Sequence, residues 1–82
     1  PVPEEETPDF PAWAEYLMLA LRTADGIDGA VFTARFEMDF APFDKRLRQL
    51  APSGLTEERP GGWRLTEEGF LVSNSVINYV IQ

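Results

Sequence analysis

The stretch Leu65-Thr66-Glu67-Glu68-Gly69-Phe70-Leu71-Val72-Ser73-Asn74-Ser75-Val76-Ile77-Asn78-Tyr79-Val80-Ile81 decides the fold, because it can be read in two ways. Its last six residues, Val76 to Ile81, have strong strand propensity on their own. Against that, Thr66 suits a helix cap, Glu67 and Glu68 suit the positive end of a helix dipole, and no breaker interrupts the residues after Gly69. At about 100° per residue, Phe70, Val72, Val76, Ile77, Tyr79, Val80 and Ile81 sweep a broad arc, with Asn74, Ser75 and Asn78 opposite. The spacing predicts one helix from about Glu67 to Ile81. Nothing after Glu68 is charged, and a terminal helix so rich in apolar surface is expected to be buried on more than one side.

Just upstream, Leu55 to Glu58 and Trp63 to Leu65 read as two short strands joined around Pro60-Gly61-Gly62, a hairpin. Before them, a helix is predicted from about Pro42 to Leu50, entered through Asp39 and stopped by Pro52-Ser53-Gly54. It places Phe40, Phe43, Leu47 and Leu50 on one face and Lys45, Arg46 and Arg48 largely on the other. Gly29 to Phe36 reads as a shorter helix carrying Val31, Phe32 and Phe36, capped by Asp28 and reached through an extended Gly26-Ile27-Asp28 link. The first helix is expected over about residues 11 to 24, with Pro11 in its first turn and Asp25-Gly26 as its stop. Trp13, Tyr16, Leu17, Ala20, Leu21 and Ala24 form its apolar stripe. Met18 and Leu19 lie with Glu15 and Arg22 away from that stripe, which points to burial on two sides or to a partner.

This order predicts a mainly α fold with a small β-hairpin: a winged-helix-like three-helix domain plus a C-terminal helix. Residues 1–10, with Glu4, Glu5, Glu6 and Asp9 among prolines, read as a disordered acidic linker, and 11–82 as the folded domain. The chain begins at Pro1 and stops inside an apolar pattern, so it is expected to be a piece of something longer.

The 82 residues allow one domain and exclude a two-domain enzyme. Seven Lys and Arg stand against fourteen Asp and Glu, a net charge of −7, which disfavours diffuse attraction to nucleic acid or anionic lipid. Without cysteine or histidine, thiol nucleophiles, Cys- or His-ligated metals and the usual neutral-pH proton carrier are excluded. No apolar run approaches a membrane span. Glu57-Glu58 and Glu67-Glu68 read as solvated surface, and Ser53, Ser73 and Ser75 have no evident base beside them. Five basic residues, Lys45, Arg46, Arg48, Arg59 and Arg64, fall on the third helix and the hairpin, where a DNA-binding winged helix would use them. Five acidic residues share residues 44–68 with them, so the local charge cancels.

Two strings carry a family likeness. Glu15-Tyr16-Leu17-Met18-Leu19-Ala20-Leu21-Arg22, followed by Gly26-Ile27-Asp28, resembles the start of the C-terminal domain of oxygen-independent coproporphyrinogen III oxidase-like proteins. Leu65-Thr66-Glu67-Glu68-Gly69-Phe70-Leu71-Val72-Ser73-Asn74-Ser75-Val76 resembles its end. Phe32, Arg35, Phe36, Leu47, Leu50 and Gly54-Leu55 fit its middle, while Ala20 stands where the family usually has glycine.

The resemblance implies a non-catalytic accessory domain of a radical S-adenosylmethionine protein in porphyrin biosynthesis or haem handling, either an oxidase or a haem chaperone. The 4Fe-4S cluster and S-adenosylmethionine would belong to the parent's barrel, with none held here. The expected partner is that barrel in the same chain, with a tetrapyrrole reached only through the parent, no nucleic acid, no membrane and a cytoplasmic setting. The candidate interdomain contacts are Trp13, Met18, Leu19, Arg22 and Tyr79, with Arg22 as a polar anchor. The alternative is a winged-helix DNA-binding domain of a regulator.

Overall fold

The computed structural model describes residues 11–81, so the expected acidic linker over residues 1–10 lies outside the described residues. Helix α1, Ala12–Leu21, leads to a two-residue strand β1, Ile27–Asp28, which passes directly into α2, Gly29–Phe36. Helix α3, Ala41–Leu50, ends in a 3-10 turn, Ala51–Ser53. Strands β2, Thr56–Arg59, and β3, Gly62–Leu65, precede α4, Glu67–Leu71, and α5, Ser73–Ile81. The mainly α class with a small hairpin holds.

The extended Gly26-Ile27-Asp28 link proves to be more than a connection. Ile27 and Asp28 pair antiparallel with Trp63 and Gly62, giving a three-stranded sheet in the order β1-β3-β2. Gly62 is what allows it: a Cβ there would stand 1.8 Å from the Ile27 carbonyl oxygen. Within the hairpin, Arg59 faces Gly62 across Pro60 and Gly61, and Gly61 takes φ 84, as the third residue of a Pro-Gly type II turn requires.

The predicted helix over residues 67–81 is in fact two helices. Thr66 caps the first, accepting from the Gly69 amide at 3.0 Å, and Gly69 packs so tightly that a Cβ would lie 2.1 Å from the Leu55 carbonyl oxygen. At Val72 the backbone leaves helical geometry, with φ −119 and ψ 33. The break redirects the chain so that Val76, Ile77 and Val80 enter the core while Phe70, Leu71 and Val72 remain exposed.

The core joins Leu17 and Leu21 of α1, Ile27, Phe32, Phe40, Phe43 and Leu47, Trp63 and Leu65, and the three residues of α5. Phe32 lies at its centre, with the rings of Tyr16, Phe36, Phe40 and Phe43 between 5.3 and 6.3 Å from its own. Buried Thr56 spends its hydroxyl on the Leu47 carbonyl at 2.7 Å. Arg46 turns inward from α3, donating at 2.9 Å to the Val80 carbonyl near the end of α5, with its guanidinium 6.0 Å from the Phe43 ring centre. Trp13, near the start of α1, sits 5.2 Å from the same Phe43 ring.

Asp28 ties the sheet to α2, as its sequence position predicts. Its carboxylate accepts from the Ala30 and Val31 amides at 2.8 and 3.2 Å and from Arg59 at 3.5 Å. The Val31 amide, helped by the Ala30 amide and by Arg59, holds its pKa below the ordinary 3.8. A lowered carboxylate pKa adds stability that is complete above the unfolded value and is lost as the pH falls through the folded one. Asp28→Asn keeps a capping side chain but loses this charge. It is expected to flatten the fall of melting temperature below about pH 4; the check is a series of thermal melts of both forms in acid.

Candidate functional site

The five residues expected to meet a partner divide into two groups. Trp13 and Met18 are half-buried and pack against the core, so the pattern that set Met18 apart from the apolar stripe misplaced it. Ala14, Leu17 and Leu21 form the inner line of α1, and Trp13, Tyr16, Met18 and Ala20 flank it. Leu19 is the outward residue, 61% exposed.

Arg22 and Tyr79 are also at the surface, each held by a neighbour. Arg22 donates to Asn74 Oδ1 at 2.7 Å, which joins the end of α1 to the first turn of α5. The Tyr79 hydroxyl donates to Gln49 Oε1 on α3.

The largest apolar exposure was not among the expected contacts. Leu71, 84% exposed, stands between the exposed Phe70 and Val72 at the turn from α4 to α5. Read as part of one helix over residues 67–81, Leu71 was equally open to completing the core or to joining a docking surface. The usable hint was Ser73-Asn74-Ser75, whose short polar side chains compete for backbone hydrogen bonds and favour helix boundaries over helix interiors.

An open groove of about 450 Å³ runs beside α1, lined by Tyr16, Leu19, Ala20, Thr23, Asp25 and Gly26. Its polar groups are partly engaged: the Thr23 hydroxyl donates to the Ala20 carbonyl at 2.7 Å and accepts from the Gly26 amide at 3.2 Å. Arg35 stacks across Tyr16 at its edge, 5.2 Å from the ring centre.

The basic residues of α3 and the hairpin are largely engaged within the domain. Arg48 pairs with Asp44 at 3.2 Å, Arg59 with Asp28 at 3.5 Å and Arg64 with Glu57 at 2.8 Å. Arg48 also stacks 5.3 Å from Trp63, whose indole donates to Asp44 Oδ1 at 2.7 Å. Lys45 is exposed. Among the described residues, no group of three or more His, Cys, Asp or Glu is placed to hold a metal, and no helix is long and apolar enough to cross a membrane.

The described residues form a small helical body with a three-stranded sheet, three separate ion pairs within the domain and apolar side chains exposed at one helix break. The family model of the HemN C-terminal domain matches residues 12–72, about three quarters of the chain, and the chain belongs to that family. No curated protein and no solved structure gives a match.

Membership raises the question of an iron-sulfur cluster, whose irons are held by cysteine thiolates. With no cysteine and no histidine in the sequence, no residue here fits that role.

Proposed function

We propose that this chain is the non-catalytic C-terminal domain of a radical S-adenosylmethionine protein resembling the oxygen-independent coproporphyrinogen III oxidases, and that it packs against the catalytic barrel. The observation that carries this reading is the family match over residues 12–72 on a chain without cysteine or histidine. Such a domain can position and cover, while the cluster and S-adenosylmethionine are held elsewhere in the parent. The helices and the β2–β3 hairpin are read as winged-helix-like, with the hairpin as the wing.

Leu19, Arg22 and Tyr79 are the surface members of the proposed interface, while Trp13 and Met18 support α1 from beneath. Arg22, steadied by Asn74, is the polar anchor. A DNA-binding role finds little support, because three of the arginines it would need are neutralised by neighbouring carboxylates and phosphate binding depends on free positive charge. The parent is read as a cytoplasmic protein of porphyrin or haem metabolism.

The test compares the full parent protein with a form lacking residues 11–82. Both are expected to assemble the cluster and bind S-adenosylmethionine, with turnover of the parent's tetrapyrrole substrate, or haem transfer, reduced in the shortened form. Loss of the cluster on deletion would assign cofactor chemistry to this domain. Undiminished turnover and stability would remove the accessory role.

A further inference from the structure

Resting on that reading, we infer that the face meeting the parent's body is centred on the α4–α5 turn. Leu71 and Val72 lie at its middle, Asn78 and Tyr79 of α5 continue it, and Arg22 and Leu19 of α1 border it. The first argument is charge. In a chain with 26% charged residues, none lies between Gly69 and Gln82. Yet α5 is not enclosed: Asn74, Ser75, Asn78 and Tyr79 are exposed along it. Solvated helix exteriors ordinarily carry charge. An exterior of amides, hydroxyls and a tyrosine next to bare Leu71 instead has the charge-depleted, aromatic-containing composition of an interface centre.

Continuity is the second argument. Arg22 binds Asn74 at 2.7 Å, so the outer edge of α1 abuts the start of α5, and Leu19 lies one turn before Arg22 on that edge.

Size then selects the occupant. Nine residues at about 1.5 Å each make the α5 part of the face roughly 14 Å long and about 10 Å wide, and with the α4–α5 turn and the edge of α1 added it still falls short of the roughly 800 Å² per partner that a standard stable complex buries. A second copy of this chain would be held weakly by so small a patch. A body joined covalently to the same chain is present at about millimolar effective concentration, and a small patch then suffices. Because Arg22 at the border is the one charged side chain among the residues named for this face, the contact should weaken only modestly with salt.

Hydroxyl-radical footprinting tests the assignment, comparing side-chain oxidation in the full parent protein and in the 82-residue chain. Leu71, Val72 and Tyr79 should oxidise several-fold more slowly in the parent. Leu71→Asp in the parent should return Val72 and Tyr79 to the rates of the 82-residue chain, yet leave the melting temperature of that chain unchanged, since Leu71 is 84% exposed. Protection at Val31 or the β2–β3 hairpin, with none at Leu71, would overturn this face and leave the accessory reading standing. Absence of protection anywhere in the domain would overturn both. A concentration-dependent dimer of the 82-residue chain, dissolved by Leu71→Asp, would give the face to a second copy and overturn the assignment.

Discussion

A chain ending at Val72 is expected not to fold, although the family match itself ends there. The missing residues include Val76, Ile77 and Val80, all buried in the core. Burying such a side chain contributes about 1.5–3 kcal/mol, so the three together supply roughly 4.5–9 kcal/mol. A domain of some seventy residues has a total stability of roughly 4–10 kcal/mol, which the loss would largely cancel. Removal of α5 would also uncover the core faces of α1 and α3 that now pack on it. Circular dichroism of the shortened chain should show no cooperative thermal transition. A sharp melt near that of the 82-residue chain would mean that α5 is an appendage to a core complete without it.

Replacing Phe32 with alanine is expected to have the next largest effect. The ring is fully buried and lies within about 6 Å of four other rings, a spacing at which aromatic pairs attract beyond their buried area. Phe→Ala in such a setting costs about 3–5 kcal/mol. At about 4–8 °C per kcal/mol for a domain of this size, the melting temperature should fall by roughly 12–40 °C. Phe32→Leu keeps most of the volume and should cost much less. If the two variants melt together near the parent value, the aromatic cluster does not hold the helices in place.

These two expectations follow from features that were unequally legible in the sequence. Phe32, Phe43 and Leu47 declared themselves by helical spacing, and the caps at Asp28 and Thr66 could be read because a side-chain oxygen just before a helix has a fixed local task. The strand at Ile27 could not be read, since two residues are too few to show a period of two and its partner lies at Trp63. The break at Val72 was hidden because neither glycine nor proline marks it. Tertiary packing decides there, with Gly69 held against Leu55 on one side of the break and Val76, Ile77 and Val80 in the core on the other.

The candidate site was legible only in part for a related reason. Leu19 and Arg22 stand out because they fall away from the apolar stripe of their own helix, whereas Tyr79 falls within the apolar arc of the last helix and its surface position follows from the packing of α5 beside α3. Whether Met18 faced outward depended on what packs against that side of α1, which a sequence pattern does not carry. Leu71 depended on the unread break.

The inward turn of Arg46 has one more consequence. Its guanidinium spans the Phe43 ring and the Val80 carbonyl, and Trp13 lies against that same ring, so the first and last turns of the domain are gathered at one corner.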